Sequence, residues 1–224
     1  MRGLKKRFSN GLEVELIAYF PRLEDWYKTS EQETHKWLCD NVKRDWICVE
    51  VGAHIGYTSM LLSTMCQHVY AFEPNAKAVQ MFNANLMHNA EILNKDFDNV
   101  DLYCHAVGDK SGMRAETLYL AGEGDKFGEI HGEFVFVTLD EIMLKHIDIN
   151  RLSLLFIDAD GWDYDVLMGA KRCIEIFHPY IIMEANYALA WRGHKLQDVY
   201  DFADKYEYKH QWLDEQCPGN LLLC

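Results

Sequence analysis

The sequence predicts an α/β fold on an open, mainly parallel sheet, and three observations carry that expectation. The runs around Trp46–Val51, His68–Glu73, Leu152–Asp158 and Pro179–Glu184 are almost wholly apolar rather than alternating, the pattern of strands covered on both faces. Segments with apolar residues three and four apart separate them, so strands and helices alternate. The first run leads into a glycine-bearing turn and a helical pattern, as in a βαβ unit.

The 224 residues, 49% of them hydrophobic, suit one compact domain and exclude disordered, collagen-like and disulfide-miniprotein classes. Thirty-five acidic against 22 basic residues give a net charge of −13. That balance argues against a nucleic-acid partner or docking on anionic membrane, and no apolar run reaches the roughly 20 residues of a spanning helix. Seven cysteines without a C-x-x-C pair, and a basic start at Met1–Arg7 with no apolar leader behind it, fit a cytoplasmic protein.

In order along the chain, the basic amino terminus is expected to be a frayed, solvated end. Ser30-Glu-Gln-Glu33 has the form of a capping box, which predicts a helix over 31–44 with Trp37, Leu38 and Val42 on its apolar face. A central strand at 46–51, a helix at 57–66 and a second strand at 68–73 follow. Pro74 marks the start of a helix carrying Val79, Phe82 and Leu86. Val100, Leu102, Cys104 and Ala106 alternate as a third strand. The segments 116–120 and 133–137 flank a loop studded with Gly122, Gly124, Gly128 and Gly132, which predicts an antiparallel hairpin insertion. After the strand at 152–158, Val166, Ala170, Cys173, Ile174 and Phe177 mark one helix. A strand at 179–184, a helix over 196–206 and a strand pair at 206–213 and 220–224 complete the chain.

In open α/β sheets ligands lie beyond the carboxyl ends of the strands. There the sequence places Glu50-Val-Gly-Ala-His-Ile-Gly56, Glu73-Pro-Asn75, His105-Ala-Val107, Asp158-Ala-Asp160 and Glu184-Ala-Asn186. A glycine turn at a strand-to-helix junction lets a ligand approach the backbone, and an acid at the next strand end can accept both hydroxyls of a ribose. The turn has two glycines where a dinucleotide site shows three, with an acid just before them. This suits a phosphate-free, cationic nucleoside, S-adenosylmethionine, over NAD.

Six ordered segments resemble the landmarks of the FkbM family of S-adenosylmethionine-dependent methyltransferases: Val49–Tyr57, Val69–Asn75, Ala106–Gly112, Val137–Asp140, Ile157–Ala170 and Pro179–Glu184. The resemblance implies a Rossmann-like class I methyltransferase fold over 46–224, with 1–45 as an extension and helix packed on it. It also implies O-methylation of a small-molecule or saccharide hydroxyl. Carried over by position, it gives Glu50, Gly52 and Gly56 to the methionine end of the cofactor, Glu73 to the ribose, His105, Ala106 and Val107 to the adenine, and Asp158 to the mouth of the site. Ala53, His54, Tyr57, Thr58, Pro74 and Asn75, beside them in the same segments, are further candidates for cofactor binding. Two positions depart from the family: Phe156 stands where a lysine is common, and Asp160-Gly161 where Glu-Gly is common.

Methyl transfer to a hydroxyl requires alignment and removal of a proton, for which Asp158, Asp160 and Glu184 are the candidate catalytic bases, with His54 as another. Asp158, Glu184 and Asn186 also resemble the Mg²⁺ ligands of cation-dependent catechol and caffeoyl-CoA O-methyltransferases, so a metal-assisted route stays open. A non-catalytic cofactor-binding protein is a third reading. Trp162, Tyr187 and Trp191 are candidates for an acceptor wall.

Overall fold

The computed structural model describes residues 3–19, 24–120, 128–214 and 219–224. The amino terminus, expected to fray, is instead an antiparallel hairpin of β1 (Leu4–Arg7) and β2 (Glu13–Leu16). Its strands are four residues long, and Leu4, Phe8, Val14 and Leu16 join Leu38, Cys48, Leu61 and Phe82 in one apolar cluster.

After α1 (Glu24–Thr29), α2 spans Gln32–Asn41, shorter than expected because Val42 is extended. The capping box does not form: Glu31 is the N-cap, with left-handed φ of 55° and no side-chain cap bond. Asp214, far along the chain, caps the helix by accepting from the amides of Glu33 (3.3 Å) and Thr34 (3.0 Å) and from the Thr34 hydroxyl.

β3 (Ile47–Val51), α3 (Tyr57–Ser63), β4 (His68–Phe72), α4 (Ala76–Leu93) and β5 (Val100–Tyr103) form the first half of the sheet. On α4, Asn89 and Asn85 accept from the amides of Glu15 (2.8 Å) and Ile17 (3.0 Å), which anchors the hairpin to the core. The expected strand from Val100 to Ala106 divides. β6 (Ala106–Val107) leaves the main sheet to pair in parallel with β8 (Gly128–Val137), which pairs antiparallel with β7 (Gly112–Leu120). This is the hairpin insertion; Gly128 and Gly132 lie within β8, and Gly122 and Gly124 lie outside the described residues.

A short α5 (Leu139–Glu141) and a π-helical turn lead to β9 (Leu154–Ile157). The helix expected across Val166 to Phe177 is two, α6 (Asp163–Met168) and α7 (Lys171–Phe177), broken at Gly169-Ala170. β10 (Tyr180–Glu184), a 3₁₀ turn (Tyr187–Arg192), α8 (Leu196–Lys205), β11 (His210–Asp214) and β12 (Asn220–Leu223) follow.

Among the described residues the main sheet has seven strands in the order β11-β12-β10-β9-β3-β4-β5, parallel except where β12 pairs with β10 and β11. Burial of both faces explains the unbroken apolar runs. Along β9, Leu154 and Phe156 join the cluster under α2 to α4, while Leu155 and Ile157 join the one under α6 to α8. Phe156, in place of the family's lysine, is thus ordinary core.

Candidate functional site

From β3 the chain moves outward to β4, and from β9 outward the other way to β10, so β3 and β9 flank a topological switch point. Gly52 sits there with φ of 86°, and a Cβ on it would fall 1.7 Å from the Asp158 carbonyl oxygen. Its lack of a side chain therefore lets the ends of β3 and β9 meet. The amides of Gly52 and Ala53 both donate to the Phe72 carbonyl (2.9 and 3.0 Å), and Gly56 caps α3.

Glu73, just beyond β4, is buried and gathers the turn around itself. Its carboxylate accepts from the amides of His54 (2.9 Å) and Asn75 (2.8 Å), and the Asn75 side chain in turn caps α4 through Lys77 (2.9 Å). Pro74 links the two. His105 follows β5 with a buried Nδ1 that has no protein partner, beside buried Ala106 and Val107. Tyr57 and Thr58 face the amino-terminal segment: the Tyr57 hydroxyl donates to Glu31, and Thr58 Oγ1 lies 3.5 Å from His35 Nε2. The His54 ring stacks on Tyr27, with Nδ1 3.2 Å from the Tyr27 hydroxyl; burial lowers its pKa to about 4, so it is neutral near pH 7.

Carboxyl groups dominate the switch point. Glu50 accepts from the Ser59 hydroxyl and is raised to about 8 by burial and then by the charges of Glu31 and Glu73. Burial, followed by the charges of Glu31 and Asp160, raises Asp158; burial and then Asp158 and Asp163 raise Glu184. Burial also raises Glu31, Glu73 (to about 7) and Asp163 (to about 6). Asp163 holds the loop by accepting from the amides of Ala159 (3.0 Å) and Gly161 (2.9 Å), with Asp160 between them at φ of 45°. Glu31 and Asp163 were missed as site groups. Asp163 lies within the Ile157–Ala170 segment but reads there as an acid at a helix start, and Glu31 reaches the carboxyl cluster through tertiary packing.

These groups set the pH dependence of stability. A carboxyl raised on folding stabilises at low pH and loses that contribution as pH climbs through its folded pKa. The buried imidazoles of His35 and His54, lowered to about 3 and about 4, act oppositely, losing theirs as pH falls below about 6.5. Six carboxyls outnumber two imidazoles. The ligand-free protein is expected to lose roughly 2 kcal/mol between pH 6 and pH 8, lowering Tm by about 4–8 °C. Thermal unfolding at the two pH values checks this; a Tm that rises would contradict the burial of the cluster.

Of the residues read as metal ligands, Asn186 uses its side-chain oxygen to cap the 3₁₀ turn through Ala188 (2.6 Å). Among the described residues no group of three or more His, Cys, Asp or Glu is placed to hold an ion. The aromatic candidates divide. Trp162 is buried between Arg192, 3.5 Å from its ring centroid, and Phe136, 4.8 Å away. Tyr187 and Trp191 are 54% and 37% exposed, with ring centroids 5.7 Å apart, and Trp191 packs against Gly161.

A methyltransferase FkbM domain model matches residues 50–210. Among solved structures, the FkbM methyltransferase of Methylobacillus flagellatus KT superposes with a TM-score of 0.57 at 15% identity, covering 82% of this chain and 44% of that one. This chain thus spans less than half the length of that relative. SMU.1697c of Streptococcus mutans, assigned as a methyltransferase and solved in complex with SAH, gives 0.54 at 13% identity, over 88% and 97% of the two chains. An rRNA methylase from Streptococcus thermophilus gives 0.51 at 11%, over 88% and 95%. No curated protein matches the chain. The fold is that of class I, Rossmann-like, S-adenosylmethionine-dependent methyltransferases. Within that class, the chain belongs to the FkbM methyltransferase domain family.

Proposed function

We propose that this chain transfers a methyl group from S-adenosylmethionine to a hydroxyl of a small acceptor of saccharide type. The observation that carries the acceptor is the exposed Tyr187–Trp191 pair, which follows Glu184 directly and packs on the Asp158–Trp162 loop. An aromatic platform beside carboxylates suits a sugar, whose C–H face stacks on a ring while its hydroxyls donate outward. Asp158, Asp160 and Glu184 stand at that rim, and burial makes Asp158 and Glu184 more basic than solvated carboxylates, in the direction that uptake of the acceptor proton requires.

The residues fit the cofactor. The Glu73 oxygens keep lone pairs for ribose hydroxyls, and the partnerless His105 Nδ1, with Ala106 and Val107, suits the adenine edge. Glu50 and the turn from Gly52 to Thr58 take the amino-acid end. When bound, the cofactor supplies an electrophilic methyl on a sulfonium; the chain's part is to align the acceptor and hold its proton. The net charge of −13 supports a small acceptor over RNA. The six described cysteines are free thiols, and no described helix is long and apolar enough to cross a membrane.

A labelled-methyl assay across saccharides, catechols and amines, with and without Mg²⁺, tests the function. Label on a saccharide hydroxyl, undiminished by chelation, is expected; transfer only to amines, or only with the metal, would overturn it. Trp191→Ala is expected to raise the acceptor KM about 3- to 10-fold, the worth of one ring contact, and to leave S-adenosylhomocysteine affinity unchanged. An equal loss of both would place Trp191 outside the acceptor site.

A further inference from the structure

Two buried groups outside the strand-end segments face the carboxyl cluster, one from each end of the chain. Glu31, 3% exposed, is held in left-handed backbone before α2, and its carboxylate accepts from the Tyr57 hydroxyl and from Asn220 Nδ2 (3.0 Å). Tyr57 opens α3 directly after the glycine turn, so Glu31 reaches the rim of the switch point. Its charge adds to the upward shifts of Glu50, Asp158 and Glu184.

Asn220 is wholly buried, paired across the sheet with Glu184. Its Nδ2 also donates to Thr34 Oγ1 at 3.1 Å, and that hydroxyl's own hydrogen goes to Asp214. Both Nδ2 hydrogens are therefore committed, which fixes the orientation of the amide and leaves Oδ1 as a buried acceptor without a protein partner. Burying such an atom is costly unless a donor meets it. Carboxylates and an amide oxygen call for a ligand that carries positive charge and several N–H donors. Lys6, the cation beside Glu31, donates to the Ser30 carbonyl (3.3 Å). A sulfonium has no N–H, whereas a primary ammonium has three.

We propose that Glu31 and Asn220 form a wall of the cofactor site that binds the α-ammonium of the cofactor's amino-acid end. The proposal rests on the S-adenosylmethionine reading above. It makes the amino-terminal segment and the last strand parts of the binding site.

Two ligands isolate the contact. S-Adenosylhomocysteine carries the ammonium without the sulfonium charge, and 5′-deoxy-5′-methylthioadenosine lacks the amino-acid end. In calorimetric titrations, Glu31→Gln is expected to weaken S-adenosylhomocysteine about tenfold or more and to leave methylthioadenosine within about twofold. Equal loss of both ligands, or no loss of either, would overturn the proposal. If Glu31→Gln does not fold, Glu31→Asp serves the same comparison, with the ratio of the two affinities again expected to fall. If the wild-type chain binds neither ligand, the cofactor reading itself fails, and this assignment with it.

Discussion

Gly52→Ala is expected to destabilise the protein by about 3 kcal/mol or more, lowering Tm by about 6–12 °C. An L-residue at φ of 86° already carries about 1 kcal/mol of strain. The larger share comes from the Asp158 carbonyl oxygen, 1.7 Å from where the new Cβ would sit. That oxygen belongs to backbone that cannot swing aside: the Asp158 amide donates to the Val51 carbonyl at 2.9 Å, and Asp163 holds the next residue's amide at 3.0 Å. Relief must part the ends of β3 and β9, and the crevice between them with it, so S-adenosylhomocysteine affinity is expected to fall at least about tenfold. Gly193→Ala is the matched control, with φ of 79° and nothing within 4 Å of the added carbon. It should cost only the conformational share, about 1 kcal/mol and 2–4 °C. Equal losses in the two variants, measured by thermal unfolding, would show that the contact with Asp158 is not decisive.

What could be read from the sequence follows from where the information lies. The central strands were legible because burial on both faces demands an unbroken apolar run, as in Ile47–Val51 and Leu154–Ile157. The amino-terminal hairpin was not, because its strands have four residues and one inward position is Lys6, which alone reads as solvated. The helix at Gln32 was placed near its true start for the wrong reason: its cap is Asp214, and no local rule reports a partner 180 residues away. At the site, the strand-end rule led to Glu50, Gly52, Glu73, Asp158 and Glu184, since position relative to a legible strand is itself legible. Glu31 and Asn220 are brought in by tertiary packing alone, and the contact of the Asn186 side-chain oxygen with the Ala188 amide is a local turn geometry that the Glu-Ala-Asn composition does not announce.

Glu73→Ala is expected to weaken S-adenosylhomocysteine binding by about 1.5–3 kcal/mol, roughly 10- to 100-fold. The carboxylate has two tasks. It ties the His54 amide in the glycine turn to the Asn75 amide at the head of α4, and in the proposed site its remaining lone pairs accept the ribose hydroxyls. The ligand pair used for Glu31 separates this residue from that one. Both ligands contain the ribose, so Glu73→Ala should weaken both alike, whereas the Glu31 variant should weaken only the one with the ammonium. Proton linkage gives an independent signature. Burial raises Glu73 to about 7, opposed by its two amide contacts; hydroxyls that donate to the anion lower the pKa of the bound form. Binding near pH 7 must then release part of a proton, which appears as a binding enthalpy that depends on the ionisation enthalpy of the buffer. In Glu73→Ala that component of the release disappears. If the variant binds S-adenosylhomocysteine as tightly as the wild type, or releases as many protons on binding it, Glu73 is only the brace of the glycine turn and the ribose is held elsewhere.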